Sequence, residues 1–146
     1  MDLERIRRKR QKNVQEQGLL RRESLLREAR HYRTHPERIP LALKAYADAQ
    51  GIDWSQAIIL ELHVNVCGGY WVEGELLTQD KRFIHFDLGT DAHHATLDGP
   101  EYAIWRDESD ERCTSRQVRG TGVSDGAWAL EIQTLLNGEV ESDAQR

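Results

Sequence analysis

Cysteine is scarce in this chain, and long apolar runs are missing. Cys67 and Cys113 are the only thiols. Two cysteines make no disulfide framework and suit a reducing compartment, so free thiols are expected. The apolar runs stop at four residues, as in Ala57-Ile58-Ile59-Leu60, far short of the roughly 20 that a membrane-spanning helix needs. The charged start, MDLERIRRKR, has no apolar stretch behind it and does not read as a secretory signal. A soluble, cytoplasmic protein without membrane contact is the expectation. There is no HExxH, no paired CxxC, no GxSxG and no Gly-rich phosphate loop. Support for a zinc hydrolase, a nucleophile elbow or a nucleotide site is therefore lacking, and no cofactor is expected.

What is present is enough for one domain with an appendage. The 146 residues are 38% hydrophobic, within reach of an ordinary core. The net charge of −5 hides a segregation. Residues 1–35 carry eleven Lys/Arg against five Asp/Glu, a net of +6, and residues 36–146 carry nine against twenty, a net of −11. A basic arm on an acidic body means that the two parts meet different partners, or each other.

Residues 3–33 contain no Pro, one Gly and many helix formers. They predict a long helix ending near Arg33, because His35 precedes Pro36. Its first turns, up to Gln17, hold too few apolar residues to bury much, so that half should project or fray, with Gly18 as a break. Leu19, Leu26 and Tyr32 form a narrow seam that leaves dimerisation open. Pro40 opens a second helix and Gly51 caps it. Alternation from Ala57 predicts a first strand, followed by strands at 70–78, 82–88 and 101–106. Ser124 or Asp125 caps a last helix with Trp128, Ile132, Leu135 and Leu136 on one face, ended by Gly138. The organisation expected is a basic helical arm at 1–35, an α+β domain at 36–138 and a disordered tail at 139–146. The fold expected is α+β: N-terminal helices, an antiparallel meander of about four strands, and a C-terminal helix, with the helices on one sheet face.

The stretch LELHVNVCGGYWVEGEL, residues 60–76, decides what the sheet offers. A two-residue Gly68-Gly69 turn would place Glu73 and Glu75 on the buried face, at several kcal/mol for each unpaired charge. A three-residue loop, Cys67-Gly68-Gly69, pairs Val66 with Tyr70, Val64 with Val72, Leu62 with Gly74 and Leu60 with Leu76. It leaves one face apolar and is the register expected. Cys67 then leaves the row of His63 and Asn65, and Glu61 faces Glu75. With Ile84, Phe86 and Leu88 on the apolar side, the wet face carries Glu61, His63, Asn65, Trp71, Glu73, Glu75, His85 and Asp87. Trp105 fits either face, while Trp54 and Trp128 read as core.

Three functions compete for these residues. An exposed Trp amid carboxylates suits capture of a basic protein partner, because aromatic residues dominate interface hot spots. The leading expectation is a small non-catalytic intracellular binding protein, inhibitor- or immunity-like. It would use Glu61, His63, Trp71, Glu73, Glu75, His85 and Asp87, with Trp105 as a further anchor. The second is a nucleic-acid-associated protein contacting phosphates through Arg5, Arg7, Arg8, Lys9, Arg10 and Lys12. The third is a metal-dependent or acid–base enzyme on the His63/Glu73/His85/Asp87 face. The plain alternative for that face is a solvated sheet surface, which alternates in the same way. His93 and His94 near Asp91 are a candidate for adventitious metal binding, though an exposed loop is the simpler reading. Gly120-Thr121-Gly122 before a helix is a weak anion-site signal.

Overall fold

The structure is a computed structural model that describes residues 2–66, 68–90, 100–110 and 125–144. The loop at 91–99 with His93 and His94, the segment at 111–124 with Cys113 and Gly120-Thr121-Gly122, and Cys67 lie outside those residues.

Helix α1 spans Leu3–Thr34. Asp2 caps it, its carboxylate accepting from the Glu4 and Arg5 amides at 3.1 and 3.2 Å. It ends before Pro36, as expected. Gly18 does not break it: one interior glycine costs about 1 kcal/mol, less than the burial of Leu25 and Ala29 returns. A 3-10 turn at Pro36–Arg38 leads to α2, Leu41–Ala49. Gly51 closes α2 at φ +84°, with the Ile52 amide returning to the Ala47 carbonyl at 3.0 Å.

Four antiparallel strands follow in meander order: β1 Ile58–Asn65, β2 Tyr70–Leu77, β3 Phe83–Thr90 and β4 Tyr102–Asp107. The last helix, α3, spans Asp125–Ala144. It runs through Gly138 instead of ending there, so the segment expected to be disordered is helical as far as Ala144. Among the described residues no helix is long and apolar enough to cross a membrane.

The expected β1–β2 register holds where it bears on the wet face: Val64 faces Val72, His63 faces Glu73, Leu62 faces Gly74 and Glu61 faces Glu75. It fails at the start of β1. A bulge between Ile59 and Glu61 pairs Ile59, not Leu60, with Leu76. The extra residue sends Leu60 to the other face, where it joins Ile58, Leu77 and Phe83 under α1 and α3. Gly74 makes the bulge possible, since a Cβ there would lie 2.0 Å from the Glu61 carbonyl oxygen. At the far end β1 stops at Asn65, so Val66 does not pair with Tyr70. Gly68 supplies the left-handed residue at φ +77°.

The helices occupy both faces of the sheet, not one. Leu43 and Ala47 of α2 pack with Ile59, Val72, Leu76, Ile84, Phe86 and Leu88. Leu25 and Ala29 of α1 and Trp128, Ile132 and Leu136 of α3 cover the opposite face around Ile58, Leu77 and Phe83. The bulge explains the difference, because it makes both faces apolar at the entry end of β1. Helices α1 and α3 run parallel, joined by Arg22–Glu131 at 2.7 Å and Arg30–Glu139 at 3.0 Å. The short α2 leaves the far end of its face bare, and Val64 is 51% exposed.

Candidate functional site

The face under α1 and α3 is apolar at one end and polar beyond it. Three rungs cross the polar part. The first is Glu61, Glu75, His85 and Arg106; the second His63, Glu73, Asp87 and Ile104; the third Asn65, Trp71, Gly89 and Tyr102. Seven expected site residues therefore share this face: Glu61, His63, Trp71, Glu73, Glu75, His85 and Asp87. Trp105 does not. It pairs with Phe86 and packs at 5.5 Å from the Tyr46 ring on the α2 side. Residues opposite one another in an antiparallel ladder share a face, so Phe86 carries Trp105 into that core.

His63, Asn65, Trp71, Glu73 and Asp87 line a cleft of about 410 Å³. Trp71 is half-buried. Its ring lies over Gly89, where a Cβ would come within 2.0 Å of Cε3, and meets Tyr102 edge-on at 5.4 Å. Gly89 and Tyr102 were legible signals that sequence reasoning passed over. A glycine inside a strand marks close approach, and one more rung of register puts it opposite Trp71.

Glu73 and Asp87 stand directly opposite on β2 and β3. Like charges in that position repel, and neither carboxylate has an ion-pair partner among the described residues. His63 turns to its own strand and hydrogen-bonds Glu61 at 2.8 Å rather than Glu73. His85 sits one rung toward the covered end, away from the cleft. The four residues of the expected acid–base face thus divide between two rungs. Glu75, His85 and Glu108 converge instead, all half-buried, with one ligand-type atom each inside a 4.8 Å span. Arg106, 3.6 Å from Glu108, already holds a cation beside that trio.

A second cavity of about 370 Å³ opens between the end of α1 and the entry to β1, walled by Tyr32, Pro36, Ile39, Trp54 and Ile58. Its guanidinium, Arg33, is committed to the Ser55 and Ala57 carbonyls at 2.9 Å each. Burial pulls the Arg33 pKa down from its usual value.

The six arm residues lie apart from both cavities. Arg5, Arg7, Arg8, Lys9, Arg10 and Lys12 are all exposed on α1. Comparison with known proteins finds no match: no family model fits the chain, and no curated protein or solved structure is similar to it.

Proposed function

We propose that this chain is a small, non-catalytic binding protein that takes a basic side chain of a protein partner into the cleft beside Trp71. The observation that carries the reading is the cross-strand pair Glu73/Asp87 next to the Trp71 ring, lacking a cation among the described residues. A guanidinium or ammonium group relieves the repulsion of two neighbouring carboxylates. It also gains from the ring face, by about 0.5–1 kcal/mol at an exposed site and more when desolvated. Tyr102 and Gly89 hold the ring in place, which lowers the ordering cost of binding. An inhibitor- or immunity-like role inside the cell accords with the small size and acidic body.

The test uses arginine- and lysine-rich peptides followed by amide chemical shifts, with native-lysate capture in parallel. Shifts centred on His63, Trp71 and Glu73, lost in Trp71→Ala and in Glu73→Lys/Asp87→Lys, are expected. Peptide binding and capture that persist unchanged in both variants rule the cleft out.

A further inference from the structure

We infer that the projecting first part of α1 is a duplex-DNA contact, with its basic residues reaching phosphates on both walls of the major groove. Residues 5–12 hold six basic side chains, all exposed. Within the described structure only Arg8 of the six makes an ion pair, with Glu4 at 3.5 Å, and that pair is itself largely in solvent. The acidic body does not absorb these charges. It uses the other half of the helix, pairing Arg22 with Glu131 and Arg30 with Glu139.

Position and arrangement both fit a polyanion. The two interhelix pairs share one offset of 109 residues, which sets the first residue of α3, Asp125, level with Glu16. The centre of the basic stretch then lies about 11 Å beyond the start of α3, at 1.5 Å rise per residue. The outer residues Arg5, Arg7 and Arg8 thus lie beyond one Debye length, about 10 Å at 0.1 M salt, and are screened from the acidic residues of α3. At roughly 100° per residue, Arg5, Arg8, Lys9 and Lys12 fall in one arc of about 100°, and Arg7 and Arg10 centre on the opposite side. Two opposed basic stripes on one helix match a groove about 12 Å wide that admits a helix between two phosphate walls. An anionic bilayer would need one apolar face as well, and residues 3–12 offer only Leu3 and Ile6.

The experiment is fluorescence anisotropy of the full chain with a labelled 20-base-pair DNA duplex across a salt series. Single-stranded DNA and phosphatidylserine vesicles are run beside it. Six phosphate contacts predict a slope of log K against log salt of about −5, and a loss of roughly 10³-fold between 50 and 200 mM salt. Arg7→Ala/Arg10→Ala should make the slope shallower by about 2. Arg5→Ala/Arg8→Ala/Lys9→Ala/Lys12→Ala should make it shallower by about 3.6. Alanine keeps the helix, so unchanged circular dichroism shows that the fold is intact. No duplex binding at 50 mM salt, or a slope untouched by the two variants, overturns the inference. So does binding to single strands as tight as to duplex, or tighter binding to vesicles. Loss of slope from only one stripe overturns the two-walled contact.

Discussion

Two glycines in the sheet face the same steric demand but should lose stability to very different degrees when given a methyl group. A Cβ at Gly74 would stand 2.0 Å from the Glu61 carbonyl oxygen and 2.9 Å from the Phe86 ring, and Phe86 is fully buried. A Cβ at Gly89 would stand equally close to Trp71, but there the obstacle is a half-exposed side chain. Without a clash, Gly→Ala stabilises by about 0.4–1 kcal/mol through the unfolded chain. At Gly74 the backbone of β1 has to move by more than 1 Å, at the bulge that sets the position of Leu60. Overpacking of that kind costs about 1–3 kcal/mol, and each ladder hydrogen bond lost adds about 1. Gly74→Ala is therefore expected to lose about 3 kcal/mol, lowering Tm by roughly 6–12 °C for a chain of this size. Gly89→Ala should cost about 1 kcal/mol or less, because the ring swings aside, yet it should abolish cation capture in the cleft. Urea unfolding of both variants, with m unchanged, gives the stabilities. A Gly74→Ala loss under 0.5 kcal/mol, or Gly89→Ala as damaging as Gly74→Ala, refutes the reasoning.

Further consequences concern buried polar groups and pH. The Gln133 amide, 2% exposed, donates to the Thr78 carbonyl at 2.7 Å and the Gln56 carbonyl at 3.2 Å, tying α3 to both ends of the sheet's entry. Gln133→Leu should cost about 1–3 kcal/mol in urea unfolding, since it strands those acceptors. Arg33→Met, which strands the Ser55 and Ala57 carbonyls, should cost about 2 kcal/mol, and Arg33→Lys should recover part of it. Hydrogen bonds from the Ser55 hydroxyl and amide hold the Asp53 pKa down, and Ser109 does the same for Asp107. A carboxylate depressed in the folded state adds stability above its unfolded pKa, about 3.9, and loses it as pH falls through the folded value. The urea midpoint should thus fall below about pH 4, and less steeply in Ser55→Ala/Ser109→Ala. Arg22→Ala should change stability by about 1 kcal/mol or less, because the Glu131 pair is partly open to solvent.

Local signals in the chain specify the elements and most of their order. Pro36 stopped α1, Gly51 capped α2, and alternation laid out the four strands, because these signals act within a few residues. The β1–β2 register was legible too, since only one pairing kept Glu73 and Glu75 off the apolar side. Along with it came the wet face, with His63, Trp71, Glu73 and Asp87 together. The rest was set by contacts between residues far apart in the chain. The bulge at Leu60 depends on Gly74, a neighbour fourteen residues away in sequence, and no local preference encodes it. By making both faces apolar at the entry, it allowed α2 to pack opposite α1 and α3. Trp105 went to the α2 side because Phe86 lies across from it, a pairing set by the path from β3 to β4. Gly138 stayed inside α3 because one poor helix former does not end a helix that Trp128, Ile132 and Leu136 hold to the sheet. Short-range sterics and periodicity can be read one residue at a time; pairing across strands and docking of helices depend on contacts distant in the chain.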